Sequence, residues 1–247
     1  MSAMRDRLDF SRRWLGEELM DDPACDEAKL LRTIRQFTTI NRLVSRYRSI
    51  LYHTVLRDMA KDPKRTYHLI DIGAGGCDIA CWLLRQAARR SLSLRVTAID
   101  GDPRTVAFAR SQCGVVAGLT IEHAYLMDLP QFAPVDYVFS NHVLHHLPDA
   151  IIPSVFALMQ ATAERRWIVS DLYRSPLAYL GFQFLGRFFR GSFAFEDGKR
   201  SIRRSLILSE VEHFAHLAGI FEKVQVRRLM PGRLLITGAG HCRDTTP

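Results

Sequence analysis

Acidic residues and glycines occur together where two predicted strands end. Asp71 precedes Gly73, Ala74 and Gly75 in the sequence AspIleGlyAlaGlyGlyCysAsp at 71–78, and Asp100 follows Gly75 by 25 residues. A glycine-rich turn between a strand and a helix lets a ligand contact backbone N–H groups without an intervening Cβ. An acid at the end of the next strand can accept hydrogen bonds from both hydroxyls of a ribose. Together these residues predict a nucleoside-binding site.

Three later strands also end in residues that could take part in chemistry. Asp128 lies in LeuMetAspLeuPro at 126–130, where a short acidic loop could contact an adenine edge. His145 and His146 follow the fourth strand, and Asp171 ends the fifth. His145, His146 and Asp171 are each a candidate general base. The alternative is that the histidines only shape the floor of a pocket.

The glycine cluster does not match the two common types of phosphate-binding loop. A dinucleotide-binding loop reads GxGxxG, but the third glycine position counted from Gly73 is Asp78, whose charge would repel a pyrophosphate. A P-loop requires GlyLys followed by Ser or Thr, which this segment lacks. A nicotinamide-dependent dehydrogenase is therefore disfavoured.

Alternating strands and helices predict the architecture that positions these residues. The predicted strands cover 67–72, 94–100, 119–124, 135–140, 166–171, 221–229 and 233–238. The helical patterns between them cover 78–90, 103–112, 150–164 and 209–219. This alternation is typical of a parallel, doubly wound sheet whose ligands lie at the carboxyl ends of the strands. The last two strands are expected to form a terminal hairpin around ProGly at 231–232.

Two further segments are predicted to be helical additions to this sheet. Residues 1–66 form an expected N-terminal cap, in which apolar residues at helical spacing from Leu30 to Val55 predict one long helix after AspAspPro at 21–23. The cap is expected to cover the cleft or to form a dimer surface. Residues 172–207 form an expected lid, an apolar and aromatic stretch flanked by basic residues. That composition suits an apolar substrate with an anionic group, or contact with a membrane surface.

The four clusters taken together resemble the class I S-adenosylmethionine-dependent methyltransferases, especially the branch that acts on quinones and phenols. The resemblance covers residues 67–171 and extends to a seven-stranded, Rossmann-like α/β fold for residues 67–247. It implies S-adenosylmethionine as cofactor. The residues it implies for cofactor binding are Asp71, Gly73, Ala74, Gly75, Asp100, Gly101, Asp128, Leu129 and Ser140. One departure is that Cys77 stands where the family often has a glycine.

Composition limits the remaining functional classes. Hydrophobic residues make up 47% of the 247, which suits a globular chain. The five cysteines show no CxxC and no Cys/His ligand spacing, so neither a disulfide framework nor a metal site is predicted. The charged N-terminus lacks the apolar core of a signal peptide. We therefore expect a cytoplasmic protein.

The net charge of +8 is distributed unevenly along the chain. It is +4 in residues 1–68, −2 in residues 69–171 and +6 in residues 172–247. The acidic part suits a cationic cofactor.

The expected reaction is methyl transfer to a small aromatic, phenolic or polyketide-like acceptor, with O-methylation favoured. C-methylation of a quinone-like or lipid-like acceptor is the alternative. A nucleic-acid methyltransferase is less favoured, because SerAsnHisVal at 140–143 differs from the Asn/Asp-Pro-Pro-aromatic loop of amino methylation and no ProCys pair is present. A non-catalytic binding protein would not need the full set of ligand motifs. We expect no nucleic-acid partner.

Overall fold

A seven-stranded sheet forms the centre of the protein in the computed structural model, which describes residues 8–241. The strands are β1 (Thr66–Ile72), β2 (Ser93–Asp100), β3 (Leu119–His123), β4 (Val135–Asn141), β5 (Ala163–Leu172), β6 (Val224–Leu229) and β7 (Arg233–Ala239). The helices are α1 (Glu27–Val44), α2 (Tyr47–Leu51), α3 (Arg57–Met59), α4 (Asp78–Ala88), α5 (Pro103–Cys113), α6 (Ile152–Thr162), α7 (Pro176–Leu185), α8 (Ala194–Arg204) and α9 (Leu208–Leu217).

The strand order confirms the predicted fold class. The sheet runs β3-β2-β1-β4-β5-β7-β6, and β7 is antiparallel to both of its neighbours. The chain builds outward from β1 in one direction and from β4 in the other, so the order reverses between these two strands. Ligands of open α/β sheets bind in the crevice that forms at such a reversal, at the carboxyl ends of the strands.

Both faces of the sheet are covered, which explains why its central strands are buried along most of their length. All seven residues of β4 are buried. On one face the core combines side chains of α2, α3 and α4 with those of β1 and β2. On the other face, α6 and α9 pack against β4, β5 and β7. Parallel strands covered on both sides are rich in apolar residues for this reason.

The predicted long N-terminal helix is wrong in one respect, because it is interrupted. The α1 helix ends at Val44, and Arg46 adopts a left-handed conformation with φ of 57° before α2 begins. The Ser45 side chain and backbone N–H both bond to the carbonyl of Asn41 and end the helix without a proline. The helix also starts later than predicted, at a cap supplied by Asp26 rather than by residues 21–23.

The break between α1 and α2 divides the predicted cap into a part that covers the cavity and a part that packs in the core. Helix α1 lies over the carboxyl edge of the sheet, whereas residues 47–59 pack in the core beside β1 and α4. This second stretch runs through α2, a π-helical turn at Tyr52–Leu56 and α3. The division of the chain at residue 66 into a cap and a methyltransferase domain stays a proposal. Residues 1–7 and 242–247 of those proposed domains lie outside the described residues.

The predicted lid consists of two helices, α7 and α8, placed between β5 and α9. Ser175 caps α7, with Pro176 in the first helical turn. Acidic residues begin α8 and basic residues end it, which suits the helix dipole. Within residues 8–241 no helix is both long and apolar enough to cross a membrane.

A partly buried carboxylate ties α3 to the sheet. Asp58 Oδ2 accepts hydrogen bonds from the Tyr137 hydroxyl at 2.7 Å and from Arg165 Nε at 2.8 Å. Burial alone would raise the pKa of Asp58, but the bonds from Arg165, Tyr137 and Lys61 outweigh burial and hold it well below its usual range. The carboxylate therefore stabilises the fold when it is ionised.

We predict that Asp58→Asn destabilises the protein by about 1–2 kcal/mol at pH 7 and by less at pH 3. The folded-state pKa of Asp58 lies below the unfolded value of about 3.9, so its contribution is present above pH ~4 and is lost as the pH falls further. Urea unfolding at both pH values measures the difference. Asp62→Asn, at an exposed acid of the same loop region, is the matched control. An equal loss at both pH values would contradict the prediction.

Candidate active site

One cavity of about 830 Å³ opens at the carboxyl edge of the sheet, where the strand order reverses. Its floor comes from the turns after β1, β2 and β4. Helix α1, residues 18–23 and the lid helices form the remaining walls. The volume is in the range of small-molecule and cofactor sites.

The turn after β1 has the backbone conformation that its glycines predict. Gly73 and Gly75 have φ of 64° and 53°, in the left-handed region that favours glycine. A Cβ on Gly73 would lie 2.2 Å from Val143 Cγ2, so this glycine allows the turns after β1 and β4 to pack together. A Cβ on Gly75 would meet no atom within 4 Å. The backbone at Gly75 is therefore open to a ligand.

Cys77 shares this left-handed conformation, with φ of 57°. It stands where the resemblance predicts a glycine, and its side chain is buried in the core. The turn therefore keeps its shape despite the substitution, at the cost of a strained position for a residue that has a Cβ.

Buried and partly buried carboxylates, among them Asp71, Asp78 and Asp100, line the cofactor half of the cavity. Burial raises the pKa of Asp71 well above its usual value, and the negative charges of Asp78 and Asp100 raise it further. Burial also raises the pKa of Asp100, although the backbone N–H groups of Asp102 and Gly75 oppose that shift. Burial and neighbouring negative charges disfavour the ionised form of these carboxylates. A cationic ligand would stabilise that form, so it fits this half of the cavity.

Asp100 is already oriented by the neighbouring turns. Its Oδ2 accepts the N–H of Gly75 at 3.0 Å and its Oδ1 accepts the N–H of Asp102 at 3.0 Å. Asp102 is the N-cap of α5 and accepts the N–H of Arg104. Asp100 therefore points into the cavity from a fixed position at the end of β2.

The predicted cofactor residues divide into two groups. Those at the ends of β1 and β2 line the cavity: Asp71, Gly73, Ala74, Gly75, Asp100 and Gly101. Asp128, Leu129 and Ser140 are not among its lining residues. Leu129 and Ser140 are almost fully buried, and Asp128 instead accepts the backbone N–H of Tyr125 at 2.8 Å.

Tyr125 lines the cavity where Asp128 was expected. It lies two residues beyond the end of β3, so its distance from the strand end was the signal that could have identified it. Asp128 forms part of the short helical turn that follows and supports Tyr125 through the backbone. The Asp128 carboxylate therefore holds the loop that carries Tyr125.

The other half of the cavity is mainly apolar. Its side chains come from one face of α1, from residues 18–23 and from the lid. They are Met20, Leu30, Ile34, Phe37, Ile40, Val44, Leu172, Phe182 and Ile202. An aromatic or aliphatic ligand would bury its surface here.

His145 and Asp171 form a buried pair on this apolar side. His145 Nδ1 lies 2.6 Å from Asp171 Oδ1, and the His145 backbone N–H donates to Asp171 Oδ2 at 3.1 Å. Burial alone would raise the pKa of Asp171, but the charge and hydrogen bond of His145 outweigh burial and hold it well below its usual range. His145 lines the cavity and Asp171 does not. The structure thus places Asp171 behind His145, where it orients the ring.

His146 forms a second carboxylate-backed histidine beside the first. Its Nδ1 lies 3.0 Å from Asp21 Oδ2, and its ring centroid is 4.3 Å from that of His145. Burial alone would lower the pKa of His146, but the nearby charges of Glu18 and Asp21 outweigh burial and raise it. His146 lines the cavity, so a histidine with a raised pKa faces it.

Glu18 completes this cluster and was missed by the sequence analysis. The residue is 2% exposed, and its carboxylate lies 3.6 Å from His145 Nε2 and 4.0 Å from His146 Nε2. Ser201 of α8 donates to Glu18 Oε1 at 2.9 Å. Glu18 and Asp21 lie in a segment without a recognisable motif, and only its folding across the cavity brings them to the histidines.

The same cluster has donor atoms that could hold a metal ion, although the sequence predicts none. The ligand atoms of Glu18, His145 and His146 lie within 4.8 Å of one another. A second group of this kind joins His142, His145 and Asp171. There, His145 Nδ1 and Asp171 Oδ1 are already paired with each other.

The basic residues of the lid do not line the cavity, contrary to the expectation of a basic rim. Arg204 donates to the carbonyls of His145 and His146 at 3.1 and 2.8 Å, and to Asp21 Oδ2 at 3.2 Å. Arg200 donates to the carbonyl of Glu17 at 2.9 Å. These side chains hold residues 17–21 against the site, so an anionic group on the ligand is not specifically favoured by them.

His142 is a further cavity residue, and no motif in the sequence indicates it. The buried Arg233 donates to His142 Nε2 at 2.6 Å and to Asn141 Oδ1 at 2.8 Å. Burial, and then the charge of Arg233, lower the pKa of His142 well below its usual value. Because Arg233 can only donate, the proton of the neutral ring lies on Nδ1. His142 can therefore donate a hydrogen bond, but its Nε2 is not free to take a proton.

Comparison with known proteins agrees with the fold. Residues 69–164 match a family model described as a methyltransferase domain. No curated protein matches the sequence.

Solved structures resemble the fold at low sequence identity. Human N-acetylserotonin methyltransferase in complex with S-adenosylmethionine has a TM-score of 0.61 at 13% identity, over 87% of this chain and 56% of that one. Magnesium protoporphyrin IX methyltransferase from Synechocystis PCC 6803 has a TM-score of 0.53 at 13% identity, over 89% and 99%. The CurJ carbon methyltransferase has a TM-score of 0.61 at 12% identity, over 87% and 61%.

We predict that Asp100→Asn raises the dissociation constant for S-adenosylmethionine by about 10-fold or more, because it removes a charge-assisted acceptor. The unfolding temperature without cofactor should stay the same or rise, since burial disfavours the carboxylate. Calorimetric titration and thermal unfolding measure the two effects. Asp128→Asn is the matched control and should leave binding within about threefold. An equal loss of affinity in both variants would contradict the placement of these acids.

Proposed function

We propose that this S-adenosylmethionine-dependent methyltransferase, which has the class I fold, methylates a hydroxyl oxygen of a small, apolar aromatic acceptor. The observation that carries the proposal is the acceptor half of the cavity. Apolar side chains of α1 and the lid surround it, and two carboxylate-backed histidines face it. A phenolic ring would bury its surface against the apolar wall while its hydroxyl meets a base.

The cofactor half contains groups suited to each part of S-adenosylmethionine. Asp71 and the backbone of Gly73–Gly75 would hold the charged methionine part, Asp100 would accept the ribose hydroxyls, and Tyr125 would contact the adenine. The bound cofactor supplies a methyl group on a positively charged sulfur. Asp128, Leu129 and Ser140 are proposed to support these loops from behind.

His146 is the proposed proton acceptor. Asp21 engages its Nδ1, so Nε2, which lies 4.0 Å from a Glu18 carboxylate oxygen, is the nitrogen left to take a proton, and the raised pKa strengthens it as a base. A phenolic proton would pass to this nitrogen while the oxygen forms its bond to the methyl carbon and the carbon–sulfur bond breaks. The positive charge of the sulfonium is thereby exchanged for that of the imidazolium, and charge is balanced.

His145 and Asp171 are proposed to act beside this base. Asp171 is a positioning residue, because it holds the His145 ring and does not reach the cavity. His145 in turn packs against His146 and presents its Nε2 toward Glu18. The three predicted catalytic residues are thus given different roles, with Glu18 and Asp21 added to them.

The walls of the cavity would exclude water and orient the acceptor. Phe182 and Ile202 of the lid cover the cavity opposite α1, and residues 18–23 cross its remaining side. Holding an acceptor against the methyl donor in a dry site supplies much of the rate enhancement in this kind of displacement. C-methylation of a quinone-like or lipid-like acceptor stays the alternative, since the same base could remove a proton from an activated carbon.

We predict methyl ether products when the purified protein is incubated with methyl-labelled S-adenosylmethionine and a panel of alkylated phenols, hydroquinones and polyketide phenols. His146→Ala should lower kcat by about 10²-fold or more while cofactor affinity is retained. Mass spectrometry of the products separates O-methyl from C-methyl compounds. Carbon-methylated products would support the alternative, and an unchanged kcat in His146→Ala would exclude it as the base.

We also predict a rise of kcat/KM with pH that is governed by a group with a pKa above 6.5. His146 must be neutral to accept a proton, and the Asp21 carboxylate raises its pKa, so Asp21→Asn should move this rise to lower pH. Asp22→Asn changes an exposed neighbouring acid and should leave the profile in place. Identical profiles for Asp21→Asn and the unmodified protein would contradict the assignment.

A further inference from the structure

The outer face of helix α7 is apolar and exposed to solvent. Leu177, Leu180 and Phe184 recur at helical spacing on this face and are 75%, 58% and 67% exposed. Phe188, which is 77% exposed, lies in the helical turn Gly186–Phe188 that directly follows α7. Leu185 is 49% exposed beside them. We call these five side chains the α7 apolar patch. Soluble proteins rarely leave a contiguous group of large apolar side chains uncovered, so such a patch indicates an interaction surface.

Contacts on the opposite face of α7 set the orientation of the patch. Phe182 lies against α8 so closely that a Cβ on Gly198 would be 2.2 Å from its ring. Tyr179 makes an edge-on contact with Phe10, with ring centroids 5.5 Å apart. The helix therefore cannot turn its exposed leucines and phenylalanines inward without breaking this packing.

Charge around the patch favours an anionic surface. Residues 175–195 contain Arg187 and Arg190, both exposed, and no acidic residue. The other basic residues of the lid point elsewhere: Arg204 binds the turn after β4, and Lys199 pairs with Glu196 at 2.9 Å. Apolar side chains beside exposed arginines are typical of helices that lie in the interface of an anionic membrane.

The same helix links the patch to the cavity. Phe182 lines the cavity from the inner face, while Phe184 and its neighbours point outward. An exposed methionine, Met230, extends the apolar surface on the turn between β6 and β7, where a Cβ on Gly232 would lie 2.8 Å from Ala178 of α7. A lipid-soluble ligand at the patch would thus be separated from the acceptor half of the cavity by one helix.

We propose that the α7 apolar patch docks the protein on an anionic phospholipid surface, with Phe184 and Phe188 inserted among the lipids and Arg187 and Arg190 on the headgroups. The contact is peripheral and reversible. It goes beyond the proposed methyl transfer and does not depend on it, because the docking residues are outside the cavity. Its consequence for the enzyme is access to acceptors that dissolve in the bilayer.

Vesicle flotation with the full-length protein tests the proposal. Vesicles of phosphatidylcholine with about 30% phosphatidylglycerol should bind the protein, and pure phosphatidylcholine should bind it less. The double variant Phe184→Gln/Phe188→Gln should lower partitioning by about 10-fold or more, and Arg187→Gln/Arg190→Gln should remove the preference for anionic lipid. The matched control, Val115→Gln/Leu217→Gln, changes two exposed apolar residues elsewhere and should bind as the unmodified protein does.

Three results would overturn the proposal. They are no binding to either vesicle, an equal loss of binding in the matched control, and a dimer in sedimentation equilibrium that Phe184→Gln/Phe188→Gln converts to monomers. The last would assign the patch to contact between two copies of the chain. Calorimetric binding of S-adenosylmethionine, measured on the same samples, shows whether each variant is folded. Flotation requires no acceptor, so failure of the docking proposal is distinguishable from failure of the proposed reaction.

Discussion

One guanidinium, that of Arg204, holds the acceptor side of the cavity together. It binds two backbone carbonyls of the turn after β4 and the carboxylate of Asp21, and so joins α8 to two other parts of the chain. At 9% exposure its charge has lost most of its hydration, and these partners compensate for that loss. The convergence of Glu18, Asp21, His145 and His146 depends on this junction, because the four residues come from segments that are distant in sequence.

The two halves of the cavity differ in origin and in charge. The sheet itself builds the cofactor half, where the carboxylates at the ends of β1 and β2 would be stabilised by a cation. Insertions and the N-terminal helix build the acceptor half, where apolar side chains dominate. A fold of this kind can keep its cofactor chemistry while its acceptor changes, since the two halves share few elements.

Most of the basic residues of the lid form contacts within the protein, and only a few are left to attract an external anion. Arg174 and Arg204 are buried and bind Glu210 and Asp21, and Arg200 binds a backbone carbonyl, so these charges maintain structure. Arg187 and Arg190 stay exposed beside the α7 apolar patch. The lid helix therefore combines an inner face that closes the cavity with an outer face suited to a lipid surface, and the same short segment meets both requirements.

The sequence alone determined the sheet, its order of strands and helices, and the ligand-binding turns after β1 and β2. Those features are local: an apolar run, a glycine turn and a terminal acid suffice to predict them. Only the tertiary structure decided that Tyr125 replaces Asp128 at the cavity, that Asp171 lies behind His145, and that the helix predicted from Leu30 to Val55 is broken at Arg46. Glu18 also became visible only there. Its role depends on packing between segments more than 100 residues apart, and no local pattern records such contacts.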